Sequence, residues 1–385
     1  MAPAQTVGQH RPTANRDFVI IGGGIAGVSA AAELAPHGRT LVGERESALG
    51  YHATGRSAAA VVLNYGALPL RVLTQASLPT LLDAEVDGHR FAQRKGMLML
   101  ELQGQEGMLD SYLGDPARLG QACEVDVTEA LRRVPILRRE AIVRACWEPD
   151  LWALDADAML QWHRRSARAA GAEFRLHADV TVLEARASGW RVVAGEHVEE
   201  AAVVVNAAGA WADTVATLAG LRPLGLQPKR RTALIVPAPA GLDVQGWPFV
   251  FDMGETRYFK PDAGALMLSL ADETDSPACD AWAHDEDVAT AVDRVQQTAE
   301  LPVERVIASW AGLRTFAPDR IPVVGWAPDS PRFLWLAGQG GYGLQTAPAM
   351  ARLARSPLLG NSASPDLGAG VLHPAQFTPS RLNSN

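Results

Sequence analysis

Gly22, Gly24, Gly27 and Glu44 are the residues of this 385-residue chain whose types and spacing point most directly to chemistry. The G-x-G-x-x-G spacing suits a dinucleotide pyrophosphate. One glycine makes a tight turn, one lets the backbone approach the phosphates, and one lets a helix pack closely on a strand. Phosphates then collect at the helix N-terminus, where unpaired N–H groups and the dipole favour negative charge, so Ile25 and Ala26 belong to the same candidate site. Glu44 follows about 20 residues after the turn, where a carboxylate accepts ribose hydroxyls. A glycine-rich turn beside a surface glutamate is the plain alternative, and the order of strand, turn, helix and acid argues against it.

The elements that must hold these residues follow from the apolar pattern. Residues 18–21 are a continuous apolar run, as in a strand buried on both faces of a parallel sheet. Residues 25–34 read as a small-residue helix closed by Pro36 and Gly38, and 39–42 as a second strand, although Gly43 is a poor strand residue. A helix begins after Asp155, a good N-cap, and stops at Gly171. A hairpin over 180–185 and 190–194 leads to an apolar strand, 201–205, which ends at Gly209, outside the carboxyl end of the strand, where open α/β sheets bind ligands. Short alternating strands at 232–236, 248–251, 257–260 and 266–270 form a second, antiparallel sheet. A helix over 286–299 interrupts it, and a strand over 303–313 ends at Arg314. The last strand, 333–337, runs into a second glycine-rich helix start at 338–343. The pattern predicts an α/β protein: a Rossmann-like domain with a second, mostly antiparallel β-sheet domain.

Composition sets outer limits. With 48% hydrophobic and 20% charged residues the chain is an ordinary globular protein of two domains. A net charge of −8 and only three lysines, with no basic stripe, argue against a nucleic-acid partner. Cys123, Cys146 and Cys279 are isolated, so neither a disulfide framework nor a zinc site is expected, and a reducing, cytoplasmic compartment is the default. No run approaches 18 apolar residues, so no integral membrane segment is expected. Residues 1–16 and 357–385 read as tails.

With the glycine turn, GYHATGRSAA, NAAGAWAD, KPDAG, WAGLR and GQGGYGLQT in view, residues 17–355 resemble the FAD-dependent amino-acid oxidoreductases of the D-amino-acid oxidase and glycine oxidase superfamily. Within it they resemble most the bacterial D-arginine dehydrogenase type. The resemblance implies a GR2-type FAD-binding domain assembled from 17–90, 148–225 and 310–356, and a substrate domain from 91–147 and 226–309 that caps the flavin. It implies that Arg45, Thr54, Gly55, Arg56, Ser57 and Ala58 follow the pyrophosphate and flavin edge. Gly340, Gly341, Tyr342, Gly343, Leu344 and Gln345 would meet the pyrimidine side through backbone N–H groups, and Val182 would contact adenine through its backbone. Arg56 and Ser57 occupy the loop where some relatives carry an attaching histidine, and the carboxyl-terminal glycine stretch has no cysteine. FAD is therefore expected to bind non-covalently.

The chemistry implied is removal of the Cα hydrogen of an amino acid as a hydride to flavin N5, leaving an imino acid that water hydrolyses to a 2-oxo acid and ammonia. The protein must orient Cα and keep the amine neutral. By resemblance, Arg231 and Arg314 bind the substrate carboxylate, Tyr258 and Tyr65 assist with hydroxyls, and the Gly341 carbonyl accepts from the amine. An arginine fork matches two carboxylate oxygens. The plain alternatives are a surface ion pair for each arginine and core packing for each tyrosine. His52 is a candidate base, although hydride transfer needs no strong one. His37, His89, His163 and His284 show no metal-ligand spacing and read as surface residues.

Departures from the family pattern bear on the substrate. Gly96 stands where D-arginine dehydrogenases carry a carboxylate, Ala60 replaces a histidine, and Val62 replaces a small hydroxyl residue. Phe249 and Phe251 can both face the substrate at period-2 spacing. These departures predict neutral, apolar or aromatic D-amino acids. The alternative is that both rings pack the sheet while Asp87 or Glu255 reaches in from a loop. Rival functions are a glycine, sarcosine or cyclic imino-acid oxidase of the same fold, or a non-catalytic nucleotide-binding protein. The electron acceptor, a quinone, another acceptor or oxygen, is not fixed by the sequence.

Overall fold

The computed structural model describes residues 15–360 and 373–383. The expected N-terminal tail lies outside the described residues up to residue 14. Arg16, assigned to that tail, instead opens the first strand, Arg16–Ile21, and its guanidinium spans Glu173 at 2.7 Å and Glu199 at 3.1 Å.

That strand is central to an eight-stranded sheet. It pairs in parallel with Thr40–Gly43 on one side and His197–Asn206 on the other. Its alternate side chains enter two different cores. Val19 and Ile21 pack with Val204 and Trp335, while Phe18 and Ile20 pack with Val42, Val205 and Leu334. Burial on both faces is the physical reason for the unbroken apolar run.

His197–Asn206 has a divided far edge. Its first half pairs antiparallel with Gly189–Ala194, and its last residues pair in parallel with Ser330–Ala337. The strand Val323–Ala327, which the sequence pattern did not reveal, adds antiparallel to Ser330–Ala337. Helices Ile25–Leu34 and Gly343–Leu358 start at the carboxyl ends of parallel strands, so both N-termini face the same edge of the sheet.

The second sheet has nine strands, antiparallel except where Phe249–Asp252 runs parallel to Met97–Leu102. Helix Asp285–Gln296 covers it, contributing Ala291 and Val295 to its core. Ala308–Phe316 pairs with Gln227–Val236 along its whole length, so the chain returns to the first sheet after Phe316 and not at residue 310. A small third sheet joins Ala60–Val62, Leu151–Leu154 and Ala92–Arg94. Among the described residues no helix is long and apolar enough to cross a membrane.

Two expectations need correction. The stretch beyond Ser356 is not all tail: the helix continues to Leu358, and residues 373–383 fold back. Phe377 there is buried, and Arg381 donates to Asp319 at 2.7 Å. An aromatic anchor outweighs the Pro- and Ser-rich composition.

His163 is also not a surface residue. It lies on the buried Met159, His163, Ala167 face of helix Ala156–Ala169, is 4% exposed, and neither ring nitrogen has a hydrogen-bond partner. Burial pushes its pKa down to about 4. The unfolded chain, titrating near the ordinary value of 6.5, therefore binds the extra proton between these values. Stability is lost as pH falls from about 6.5 to about 4, by up to roughly 3 kcal/mol. Thermal melts of His163→Leu against the parent should show this acid-side slope reduced; identical slopes would remove His163 as its source.

Candidate active site

Two cavities lie along the edge where both helices start. One, of about 490 Å³, is lined by Gly22, Gly24, Ala26, Glu44, Arg45 and Gly209. The other, of about 540 Å³, is lined by Arg231, Tyr258, Arg314, Tyr65 and Gly341, together with Ser57, Ala58, Leu344 and Gln345. They share Ile25, Thr54, Arg56, Gly340 and Gly343, so they form one continuous trough.

At the first cavity each glycine has a separate constraint. Gly22 has φ +110°, and a Cβ there would lie 2.4 Å from the Ala207 carbonyl oxygen. Gly27 does not line the cavity; its Cβ would lie 2.0 Å from the Gly22 oxygen, so it sets the approach of helix to turn. Glu44 is buried and held in place: Oε2 accepts from the Gly23 N–H at 2.7 Å and Oε1 from the Glu46 N–H at 2.9 Å. Thr54 Oγ1 accepts from the Ile25 N–H at 3.0 Å.

Several sequence assignments move. Gly55 lines neither cavity and is a turn glycine, donating to the Gly50 carbonyl at 2.8 Å. Arg56 lines both, but its guanidinium is engaged by Asp280 at 2.5 Å and by the carbonyls of Ala281 and Ala311. Arg45 lies 4.7 Å over the Trp211 ring. Val182 is outside the lining; Ala178, Asp179, Val180 and Thr181 form that wall. A register shift between Val180 and Val182 separates the lining residues from the expected one. Tyr342 lines neither cavity and packs on Tyr65, ring centroids 4.9 Å apart. Gln345 keeps its place in the lining; its side-chain amide accepts from the Val62 N–H and donates to Thr74 Oγ1, which leaves the expected backbone contact untouched. Residues missed altogether include Ala53, Trp211, Cys279, Thr315 and Gln339. Ala53, Trp211 and Gln339 lay within quoted motifs; Cys279 and Thr315 carried no local signal.

In the second cavity Arg231 and Arg314 come from neighbouring antiparallel strands. Arg231 faces Gly312 and Lys229 faces Arg314, so the two arginines are diagonal neighbours on one sheet face. Arg314 Nη2 donates to Tyr65 Oη at 2.7 Å, and a Cβ on Gly341 would overlap the guanidinium at 1.5 Å. Arg231 Nε donates to the Asp272 carbonyl at 2.7 Å. Tyr258 is buried and stacks on Phe251, which stacks on Phe249. The cavity thus brings Arg231 and Arg314 together with Tyr65 and Tyr258, and its wall also carries Met97, Met99, Phe249 and Phe251. His52 borders only the first cavity, 2.9 Å from Glu46, and is no base for the second.

The family model described as DAO, FAD dependent oxidoreductase, matches residues 17–356. This chain belongs to that family. The D-amino-acid oxidase of Streptomyces coelicolor is 29% identical over 86% of this chain and 93% of its own. Glycine oxidase from Geobacillus kaustophilus superposes with a TM-score of 0.82 at 22% identity, covering 96% of this chain and 99% of its own. Iminodiacetate oxidase from Chelativorans sp. gives 0.78 at 21% identity, covering 94% and 98%. These likenesses show the α/β fold with mixed and antiparallel sheets in two domains.

FAD is the cofactor of this oxidoreductase, and the first cavity fits it. Besides the glycine turn and the buried Glu44 that line it, Thr315 Oγ1 and Gln339 Nε2 are buried without hydrogen-bond partners, and both residues line that cavity. Buried polar atoms are rarely left unpaired, so a polar ligand there satisfies them.

Of the residues expected to face the substrate, some line the second cavity and some do not. Gly96 does not face the cavity: its φ is +74° and a Cβ would lie 2.1 Å from the Trp147 ring. Its lack of charge therefore says nothing about substrate. Asp87 is at the surface, paired with Arg165 at 2.7 Å. Ala60, Val62, Phe249 and Phe251 do line the cavity, and so does Glu255. Glu255 is solvent-exposed, yet partial desolvation by its surroundings raises its pKa, and the Arg231 and Arg314 charges oppose that shift.

Proposed function

We propose that this FAD dependent oxidoreductase oxidises D-amino acids with neutral, apolar side chains to imino acids, which water hydrolyses to 2-oxo acids and ammonia. The observation that carries the proposal is the Arg231–Arg314 pair beside Tyr65 and Tyr258, in a cavity continuous with the FAD site. Bound FAD supplies the acceptor for the Cα hydride. The chain's own residues bind and orient. Arg231 and Arg314 hold the α-carboxylate, Tyr65 keeps the Arg314 fork in place, and the Gly341 carbonyl accepts from the amine. The side chain then extends over Met97, Met99, Phe249 and Phe251, whose transfer from water favours apolar groups. The likeness to a D-amino-acid oxidase supports the D configuration.

Glu255 favours a second reading, in which a basic side chain pairs with its carboxylate. The glycine oxidase and iminodiacetate oxidase likenesses support a third, in which a secondary amine occupies the same clamp. A panel of D-methionine, D-phenylalanine, D-arginine, sarcosine and iminodiacetate, run with oxygen and with an artificial acceptor, separates them. We expect kcat/KM for D-methionine to exceed that for D-arginine by on the order of tenfold, because a guanidinium against the apolar wall is costly to desolvate. If D-arginine is best and Glu255→Gln lowers its kcat/KM by roughly 100-fold, the basic reading replaces this one. Sarcosine or iminodiacetate as best substrate would establish the third.

A further inference from the structure

Glu273 stands on the loop between strands Ala265–Ser269 and Thr274–Asp275, and its carboxylate reaches three arginines from three segments. Oε1 lies 3.3 Å from Arg314 Nη1 and 3.7 Å from Arg231 Nη2. Both oxygens lie 2.9 Å from Nη2 of Arg320, whose guanidinium is 4.1 Å over the Phe316 ring. Glu273 lines neither cavity, so it holds the two clamp arginines from behind. Its neighbour Asp272 completes the support: the carbonyl takes Arg231 Nε, and the carboxylate takes the Thr232 N–H at 2.7 Å.

Two guanidinium groups on diagonal strand positions repel each other, and the low dielectric of a closed cavity strengthens the repulsion. An unsupported pair would splay. Arg314 has five N–H donors; one is used by Tyr65 and one by Glu273, which fixes the plane of the fork and leaves the others for a ligand.

We propose that Glu273 is a positioning residue for the substrate carboxylate: it balances Arg231 and Arg314 and sets the angle at which they present the amino acid. The inference rests on the arginine clamp described above. It predicts a particular kinetic split. Removing the Glu273 charge makes the clamp more positive, so carboxylates are still attracted, but the arginines are less well oriented.

The test is Glu273→Gln in the FAD-loaded enzyme, with the best amino acid of the panel. kcat should fall roughly 10- to 100-fold, the scale of a misplaced reacting atom. KM should stay within about twofold of the parent or fall, and acetate, followed by tryptophan fluorescence, should bind no more weakly. Glu273→Asp keeps the charge and should recover part of kcat. If Glu273→Gln does not accumulate as folded protein, Arg320→Gln, which removes the 2.9 Å anchors but leaves the Glu273 charge, should lower kcat in the same way, with no fall in KM expected. Parental kcat, or a loss confined to KM, overturns the proposal. Where Arg314→Ala is impaired and Glu273→Gln is normal, only this inference falls; where both are normal, the clamp itself falls.

Discussion

Arg314→Ala is expected to lower kcat/KM for the amino-acid substrate by roughly 30-fold to several thousand-fold, with the flavin absorbance and melting temperature little changed. Truncating one partner of a buried charge pair costs on the order of 2 to 5 kcal/mol, which gives that range. The fold keeps other contacts for the residues that Arg314 touches, although the Tyr65 hydroxyl loses its hydrogen bond. Glu273 retains Arg320 at 2.9 Å, and Tyr65 retains its ring contact with Tyr342. On the proposed function, the substrate carboxylate then has only Arg231 left. Arg314→Lys separates charge from shape: it restores a point charge without the planar fork, so it should lie between the parent and alanine. Parental efficiency in Arg314→Ala would remove this residue from the site.

The fold was legible in the sequence wherever a single element carried its own signal. Phe18 to Ile21 read as a doubly buried strand because the apolar run is short, rich in β-branched residues and closed by a glycine turn. The arginine clamp was a different case. Arg231 and Arg314 lie more than 80 residues apart, and their meeting depends on the register that sets Arg231 against Gly312. No local pattern encodes that proximity, and only the family resemblance placed both residues at one site. The failures have the same origin. A register shift between Val180 and Val182 separates the cavity-lining Val180 and Thr181 from Val182, and a local irregularity of that kind has no signature in an apolar strand pattern.

Gly96 shows a second limit. A glycine in a sequence shows that a side chain is missing but not which way it would have pointed. Here the positive φ and the Trp147 ring decide the matter, and both are properties of the folded chain. His163 was legible: Met159, His163 and Ala167 recur at helical spacing on a buried face. Its residue type alone suggested the surface. Phe377 was likewise an apolar anchor set in a stretch whose average composition pointed the other way.

Gly24→Val is expected to give folded, colourless protein, and the reason lies in how the three turn glycines differ. Gly24 has φ −75°, which any residue adopts, and a Cβ there meets only Thr54 Oγ1, at 3.3 Å. The empty fold can therefore accept a side chain at this position. Gly27 cannot, with the Gly22 oxygen 2.0 Å away, and Gly22 is held at φ +110° against Ala207. Valine at 24 projects into the FAD cavity that this glycine lines, where overpacking costs about 1 to 3 kcal/mol, or roughly 5- to 150-fold in affinity. The measurement pairs flavin content, from absorbance near roughly 450 nm, with the melting temperature at saturating FAD and without it. Gly24→Val should lose flavin while keeping the parental melting temperature of the flavin-free protein; Gly27→Val should lose the fold. Acid precipitation of the parent should release all its flavin, as non-covalent binding requires. Gly24→Val protein that purifies yellow at parental stoichiometry would show that the pyrophosphate does not pass over Gly24.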